Sequence, residues 1–363
     1  MRGTDHQQSH VFSYLCPESR VRKDHPLRAI RTMVDEVLSR LSPQFDGMYA
    51  CEGRPSIAPE KLLRAQVLQM LYSIRSERLL MEEVDYSILF RWFVGLNLDE
   101  EVWDATVFTK NRDRLLEAEV AKRFLAEVVE QAREKGLTSD EHFTVDGTLL
   151  EAWAGAKSFQ RKDSENPPST DDDPGNPTVN FHGERRSNRT HESKTDPEAK
   201  LARKSEGKEA KLSYSGNLLV ENRNGLIVNA MVWEANGTAE RDTALVMLEQ
   251  IPGQRRLTVG GDKGFDTADF VAECRHMQIT PHVAQNHKRS GGSAIDERTT
   301  RHDGYAVSQR KRKRIEECFG WLKTIALLRK VRHRGLFKVD WVFTFACATY
   351  NLVRLRNLSV QAA

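Results

Sequence analysis

The chain has 363 residues, 39% hydrophobic and 29% charged, with a formal net charge of +3. This length suffices for one large core or two smaller ones, and the longest uncharged apolar run, Trp341 to Val353, is shorter than the about 20 residues that span a bilayer. The five cysteines show no CxxC pair and no regular spacing, which argues against a disulfide framework or a cysteine zinc site. We expect a soluble protein of a reducing cytoplasm, without a membrane part.

Helical periodicity dominates the first third of the chain, after a polar lead over residues 1–24. Apolar residues at helical spacing and capping residues predict five helices. One covers Pro26 to Leu41, a second begins near Pro59, a third covers Glu77 to Val94, a fourth is capped by Asp104, and a fifth ends at about Lys135. We predict an all-α domain over residues 25–138. Short helices joined by short turns suit a DNA-binding or dimerisation domain, and they equally suit any small bundle.

Strands and helices alternate in the remainder of the chain. The predicted elements are a strand His142 to Asp146 continuing through Gly147 to Trp153, a hairpin of Leu212 to Glu221 and Leu226 to Trp233 around Asn224-Gly225, a helix capped by Thr238 through Gln250, a strand Arg256 to Gly260, a helix capped by Asp266 and reaching Met277, a strand Ile279 to Ala284, a basic helix, and a last helix Val339 to Leu355. This order indicates an α/β fold, a ribonuclease-H-like catalytic domain with a mixed sheet and flanking helices over residues 139–358.

A polar insertion at about residues 156–211 interrupts this domain. It holds five prolines, the acidic triplet Asp171 to Asp173 and few apolar residues, so it cannot build a core of its own. We predict disorder for its first half. For its second half, where Arg185, Arg186 and Arg189 accumulate, order facing DNA and a solvated linker both remain open.

The basic stretch from Arg310 to Lys323, RKRKRIEECFGWLK, is predicted to form one amphipathic helix. Ile315, Phe319, Leu322 and Ala326 share its apolar stripe, and Glu316 lies at the border of that stripe. Taken alone, such a charge pattern is also typical of a solvated helix face. From Ser308 to Arg334, however, ten Lys or Arg stand against two Glu, and this concentration favours a polyanion as partner.

Three carboxylates occupy the positions where this fold can gather them. Asp146 ends the first strand, Asp262 follows the fourth, and Glu316 lies on the helix after the fifth. A single aspartate at a strand end is usually a cap or turn residue, but three acids brought together would repel one another unless cations offset them. Two Mg²⁺ ions can do so while activating water and stabilising a leaving oxygen.

Four blocks of the sequence resemble the bacterial insertion-sequence transposases of the DDE class, in the family-five branch. The blocks are VDGTLLEAW (Val145 to Trp153), GDKGFDT (Gly261 to Thr267), HVAQN (His282 to Asn286) and RKRIEECFGWLK (Arg312 to Lys323). The resemblance covers nearly the whole chain. Two positions depart from the family: Gln309 stands where a tyrosine is frequent, and Asn217 where near relatives have histidine.

The resemblance implies an enzyme that binds the terminal inverted repeats of its own element, cleaves DNA phosphodiesters and joins the 3′ ends to target DNA. Asp146, Asp262 and Glu316 match the catalytic, metal-binding triad, and Arg312 and Lys323 match the basic residues around the family's glutamate. The expected cofactor is two Mg²⁺ ions, with Mn²⁺ able to substitute. The expected partners are double-stranded DNA, as element end and as target, and a second copy of the chain in a homodimer on DNA at the nucleoid.

Nine basic residues are our candidates for DNA contact. They are Arg310, Lys311, Arg312, Lys313, Arg314, Lys323, Arg185, Arg186 and Arg189. Two other functions stay open at this point: a DNA-binding regulator whose acid cluster is vestigial, and a ribonuclease-H-fold nuclease that cuts DNA without element ends and joins nothing.

Overall fold

The computed structural model describes residues 16–48, 56–117, 119–162, 180–181, 184–204, 207–253, 256–288 and 291–362. Its helices are α1 (Pro17–Arg20), α2 (Pro26–Met48), α3 (Pro59–Leu71), α4 (Glu77–Tyr86), α5 (Ile88–Val94), α6 (Ala105–Glu117), α7 (Val120–Glu134), α8 (Ala239–Glu249), α9 (Ala268–His276), α10 (Glu297–Thr300), α11 (Asp303–Lys311), α12 (Ile315–Thr324) and α13 (Leu336–Ala362). Its strands are β1 (His142–Glu151), β2 (Phe159–Arg161), β3 (Asn180–Phe181), β4 (Glu184–Arg185), β5 (His191–Ser193), β6 (Lys200–Ala202), β7 (Lys211–Glu221), β8 (Ile227–Glu234), β9 (Leu257–Gly261) and β10 (Ile279–Val283).

The first third is helical, as its periodicity predicts, with one difference. The segment Glu77 to Val94 forms two helices, because Ser87 leaves the helical conformation and its hydroxyl accepts a hydrogen bond from Phe90 N at 3.3 Å, capping α5. Asp104 caps α6 as predicted, with its carboxylate accepting from Thr106 N at 2.7 Å.

The central sheet has the mixed ribonuclease-H-like arrangement that the order of elements predicts. Its strands run in the order β10-β9-β1-β7, and the outer edge of β7 pairs with both β8 and β6. The strands β10, β9 and β1 are parallel, whereas β7 and β8 form the antiparallel hairpin. Gly225 makes the hairpin turn at φ +74°, a conformation that glycine adopts without strain.

The two faces of the sheet are covered by different helices. One core contains α8 and α9 against Phe143, Val145 and Val259, while the other contains α12, α13 and the amino-terminal helices. Phe124 of α7 lies against Phe345 of α13, with ring centroids 5.1 Å apart, so the helical first third and the sheet share a core. The division into domains at residue 138 stays a prediction. Among the described residues, no helix combines the length and the apolar character needed to cross a membrane.

One predicted helix cap is confirmed only in its position, and another is wrong. Thr238 occupies the N-cap position of α8, but its side chain makes no capping hydrogen bond; instead Asn236 Oδ1 accepts from the backbone N of Thr238 at 2.9 Å and of Ala239 at 2.6 Å. Thr267 caps α9, while the predicted cap, Asp266, is fully buried and accepts from the backbone N of Asn286 and Ala294. A buried carboxylate needs such partners, and here they come from the next loop.

The basic stretch does not form one continuous α-helix. α11 ends at Lys311, residues Arg312–Arg314 form a 3₁₀ turn, and α12 begins at Ile315. The 3₁₀ turn separates two helices that pack against different elements, because α11 contacts β9 and β10 while α12 contacts β1 and α13. The apolar stripe of Ile315, Phe319, Leu322 and Ala326 is buried as predicted.

The insertion contributes ordered strands where the structure describes it. β2 pairs with β5, β3 with β4, and β6 joins the central sheet beside β7, which the sequence did not predict. The predicted disorder of its first half falls mainly on residues 163–179, which lie outside the described residues.

Candidate active site

Asp146 and Asp262 are brought together by the register of two parallel strands. Thr144 of β1 pairs with Gly260 of β9. Asp146 lies two residues further along β1, and Asp262 lies two residues after Gly260, just beyond the end of β9. Neighbouring strands are about 4.8 Å apart, so the two carboxylates meet at the carboxyl edge of the sheet. Asp146 accepts a hydrogen bond from Gly147 N at 2.8 Å, and Asp262 accepts one from Gly264 N at 2.7 Å.

The electrostatics of the pair favour a cation. Burial and, next, the negative charge of Asp262 together raise the pKa of Asp146 to about 7, against the opposing effect of the hydrogen bond from Gly147 N. The charge of Asp262 thus disfavours the ionised form of Asp146, and an added positive charge reverses this effect. Carboxylate oxygens are also the donors that Mg²⁺ and Mn²⁺ prefer, so this pair suits a divalent ion.

Arg312 and Lys323 flank the carboxylate pair. Gly260 lets the 3₁₀ turn approach the sheet, because a Cβ at this position would lie 3.4 Å from Arg312 Cβ. Lys323 Nζ donates to Thr148 Oγ1 at 2.5 Å, two residues beyond Asp146 on β1. The charge of Arg312 lowers the pKa of Asp146, and Lys323, whose own pKa is lowered by burial, interacts with Asp146 as well.

Glu316 lies between these two cations in the chain, one helical turn after Arg312 and two turns before Lys323. Its side chain is exposed and makes no hydrogen bond or ion pair with the described residues. Within the described part of the chain, no group of three His, Cys, Asp or Glu side chains is close enough to hold a metal ion. The structure therefore gathers two of the three predicted carboxylates and leaves Glu316 apart from them, on the helix that packs against β1.

Glu240 is a fourth acid at this site, which the sequence analysis did not identify. A Cβ on Gly147 would lie 2.5 Å from Glu240 Cγ and 2.7 Å from Asn217 Oδ1, so both side chains occupy the space that this glycine leaves. Burial raises the pKa of Glu240, and the charge of Asp262 adds to the effect. The only sequence signal was the position of Gly147, immediately after the first aspartate.

The two departures from the family pattern have structural roles. Asn217 is buried opposite Gly147 and donates to the carbonyls of Ser215 at 3.1 Å and Met231 at 3.4 Å. Gln309 accepts from Arg312 Nε at 3.0 Å and donates to the carbonyl of His282 at 2.6 Å, so it links the cation to β10.

A buried chain of polar groups anchors α11 behind the site. Ser308 Oγ lies 2.7 Å from His282 Nδ1 and 2.6 Å from His142 Nε2. Burial lowers the pKa of His282 to about 4 and also lowers the pKa of His142. With both rings neutral, the hydroxyl donates to one ring nitrogen and accepts from the other, which satisfies all three groups.

The candidate DNA-binding residues have different surroundings. Arg310 and Lys313 are exposed, Lys311 is half-buried at the end of α11, and Arg314 donates to the carbonyls of Arg223 at 2.6 Å and Asn222 at 3.4 Å. In the insertion, Arg186 donates to the carbonyl of Phe159 at 2.9 Å and Arg189 is exposed, whereas the Arg185 side chain lies outside the described residues. DNA contact by this set stays a prediction.

Two protein-family profiles match the chain. A transposase domain (DUF772) matches residues 15–114, and a transposase DDE domain matches residues 179–352. Together they span most of the chain, and the second contains Asp262 and Glu316 but begins after Asp146. No curated protein sequence shows a significant match.

Solved transposase structures also align with the chain at low identity. A piggyBac transposase synaptic complex with hairpin DNA is 11% identical with a TM-score of 0.39, over 93% of this chain and 76% of that chain. The Mos1 paired-end complex with the left transposon end is 10% identical with a TM-score of 0.19, over 91% and 94% of the two chains. The Mos1 paired-end complex with Mg is 12% identical with a TM-score of 0.20, over 90% and 87%. All three TM-scores lie below 0.5.

Proposed function

This chain belongs to the DDE transposases of the insertion-sequence type, and we propose that it cleaves phosphodiesters at the ends of its own element and joins the 3′ ends to target DNA. The observation that carries this proposal is the register of β1 and β9, which sets Asp146 beside Asp262 with Arg312 and Lys323 around them. Two acids and two cations at one sheet edge suit the charge distribution of a phosphodiester under attack.

The carboxylates of Asp146 and Asp262 would hold a divalent ion, and Glu316 would complete the set for two ions. Bound Mg²⁺ or Mn²⁺ supplies an activated water or hydroxyl and stabilises the departing oxygen. Glu316 is exposed and has no competing partner in the described structure, so the 3₁₀ turn before α12 is the place where a small rotation would bring it closer.

The basic residues bind and orient the DNA backbone in this proposal. Lys323, held by Thr148, and Arg312, held by Gln309, place positive charge on either side of Asp146, where a phosphate would lie. Arg310, Lys311 and Lys313 extend the positive surface along the same segment. Two element ends must be cut together, so we propose a homodimer on DNA, with the helical first third as the end-binding and dimerisation part.

Charge-neutralising variants test the mechanism. Asp146→Asn, Asp262→Asn and Glu316→Gln should each abolish cleavage of a DNA fragment that carries the element ends, while binding of that fragment survives. Glu317→Gln is the matched control, because Glu317 is the exposed neighbour of Glu316 on α12 and should leave cleavage unchanged. Cleavage that persists in all three triad variants rejects the proposal.

The separation of Glu316 from the aspartate pair favours one second candidate, a DNA-binding regulator with a vestigial acid cluster. The two functions differ in metal binding. A transposase should bind Mn²⁺, seen as a saturable loss of the free-ion electron paramagnetic resonance signal, and should lose that binding in Asp262→Asn. A regulator should show neither Mn²⁺ binding nor strand cleavage, and a simple nuclease would cut DNA without giving joined products.

A further inference from the structure

A cavity of about 230 Å³ lies between the amino-terminal helices and the segment that joins α12 to α13. One wall comes from α3, the start of α4 and Arg112 of α6, and the other from residues 326–333 and the first turns of α13. None of Asp146, Asp262 and Glu316 lines it. The cavity is therefore separate from the carboxylate site.

Apolar and charged side chains both line the cavity, and two buried polar atoms of its lining residues have no partner among the described residues. Its apolar lining includes Met70, Ile74, Leu328, Val331, Trp341 and Val342. Gln66 Oε1 and Trp341 Nε1 have no hydrogen-bond partner, although the two side chains are only 2% and 4% exposed. A buried acceptor or donor left unsatisfied costs about 1–3 kcal/mol, so this wall suits a ligand that offers one donor and one acceptor.

Two arginines at the cavity have no acidic partner among the described residues. Arg75 and Arg332 are exposed lining residues close enough that the charge of Arg75 adds to burial in lowering the pKa of Arg332. Glu77 also lines the cavity, but it is paired with Arg112, just as Lys330 is paired with Glu151 at 3.0 Å. Unpaired neighbouring guanidinium groups favour a phosphate, which accepts several of their N–H donors at once.

We propose that this cavity binds one nucleotide unit, with its phosphate on Arg75 and Arg332 and its base between the apolar walls. A base presents both donors and acceptors on its edge. Both polar atoms are enclosed in this structure, so a rotation of each side chain towards the cavity would let the base accept from Trp341 Nε1 and donate to Gln66 Oε1. The nucleotide unit could be a free nucleotide or an unpaired nucleotide of bound DNA. Only the second source depends on the proposed function.

The indole N–H resonance of Trp341 reports on occupancy of the cavity. In the full ¹⁵N-labelled chain, this resonance is the one of the six tryptophan signals that disappears in Trp341→Phe. The probes are the four deoxynucleoside monophosphates, inorganic phosphate, a fully paired DNA duplex, and the same duplex with one unpaired nucleotide. We expect a saturable shift with the monophosphates or with the unpaired duplex, and none with inorganic phosphate or the paired duplex.

The pattern of shifts identifies the source. A shift with monophosphates indicates a free nucleotide as ligand, and a shift with the unpaired duplex alone indicates a nucleotide of the DNA. Absence of a saturable shift with every nucleotide probe at millimolar concentration overturns the proposal, as does an equal shift with inorganic phosphate alone.

Variants of the two ends of the cavity separate binding from structure. The double variant Arg75→Ala/Arg332→Ala should weaken nucleotide binding at least about tenfold, because hydrogen bonds to charged groups are lost. Arg78→Ala is the control and should not weaken binding, because Arg78 is an exposed arginine of α4 outside the cavity. Gln66→Leu should weaken binding while the melting temperature is unchanged or higher. A lower melting temperature with undiminished binding would instead make Gln66 an ordinary core residue and overturn its role.

Nucleotide binding to the cavity can be tested independently of DNA cleavage. Asp146→Asn removes the proposed chemistry and should leave the Trp341 shift intact. Failure of DNA cleavage by the unaltered chain, with a saturable nucleotide shift retained, would reject the proposed function and leave the cavity assignment standing.

Discussion

Gln309 holds Arg312 in place: its Oε1 accepts a hydrogen bond from Arg312 Nε at 3.0 Å while its Nε2 donates to the carbonyl of His282 at 2.6 Å. The guanidinium that lowers the pKa of Asp146 is thereby tied to β10, and its Nη groups are left for other acceptors. Where the family frequently has a tyrosine, this chain uses an amide as a connector between the sheet and the cation.

Replacing this amide by a side chain of similar volume tests the connection. Gln309→Met removes both hydrogen bonds, and we expect cleavage of end-bearing DNA to fall by about tenfold or more, since a hydrogen bond to a charged group contributes about 1.5–3 kcal/mol. Gln278→Met is the control and should cleave normally, because this glutamine lies in the turn before β10 and makes no hydrogen bond to Arg312. Unchanged cleavage in Gln309→Met would show that Arg312 does not depend on Gln309.

The contact between Gly147 and Glu240 gives a prediction about stability. In Gly147→Ala the new methyl would lie 2.5 Å from Glu240 Cγ, and we expect a loss of about 1–3 kcal/mol in the free energy of unfolding, measured with urea. Gly155→Ala is the matched control, because no atom lies within 4 Å of a Cβ there. Adding Glu240→Ala to Gly147→Ala should recover part of the loss, and a double variant whose effects simply add would contradict the proposed clash.

The aspartate pair could be predicted from the sequence, whereas its surroundings could not. A change of hydrophobic pattern marks both aspartates in the sequence, and Asp262 does follow the end of β9. Asp146 does not end its strand as predicted, because β1 continues to Glu151 along β7, but it lies two residues past the last pairing of β1 with β9. In the sequence, Glu240 is only an acidic residue in the first turn of a helix. Its position at the site results from the packing of α8 over Gly147, which has no side chain. Ser308 likewise gains its partners only when α11 packs across β9 and β10.

The break in the basic stretch was missed for a related reason. No glycine or proline marks Arg312 to Arg314, and the apolar stripe begins only after this turn, at Ile315, so it could not reveal the break. The interruption comes from tertiary packing, because α11 and α12 lie against different strands. The placement of Glu316 depends on this turn, which explains why spacing alone predicted a tighter triad than the structure contains.

The chain of His142, Ser308 and His282 should make the protein less stable in mild acid. The folded pKa of His282 is about 4, below its ordinary value of 6.5, so the unfolded chain binds more protons between these values. Stability is therefore complete above about pH 6.5 and falls as the pH drops towards 4, by about 1–3 kcal/mol. Urea unfolding at several pH values measures this loss. His282→Gln should reduce the dependence of the free energy of unfolding on pH. If this variant loses stability in acid as steeply as the unaltered chain, His282 is not the cause of the loss.

Lys323 and its anchor provide the last prediction, on DNA binding. Lys323→Gln removes a cation that interacts with Asp146, and we expect the slope of log affinity against log salt concentration to decrease by about 1, as for the loss of one phosphate contact. Thr148→Val keeps the charge and removes only the 2.5 Å hydrogen bond that positions Nζ. It should therefore leave the salt slope unchanged while cleavage falls, because the lysine is present but less well placed over the reacting phosphate. Equal salt slopes for Lys323→Gln and the unaltered chain would show that Lys323 does not contact the DNA backbone.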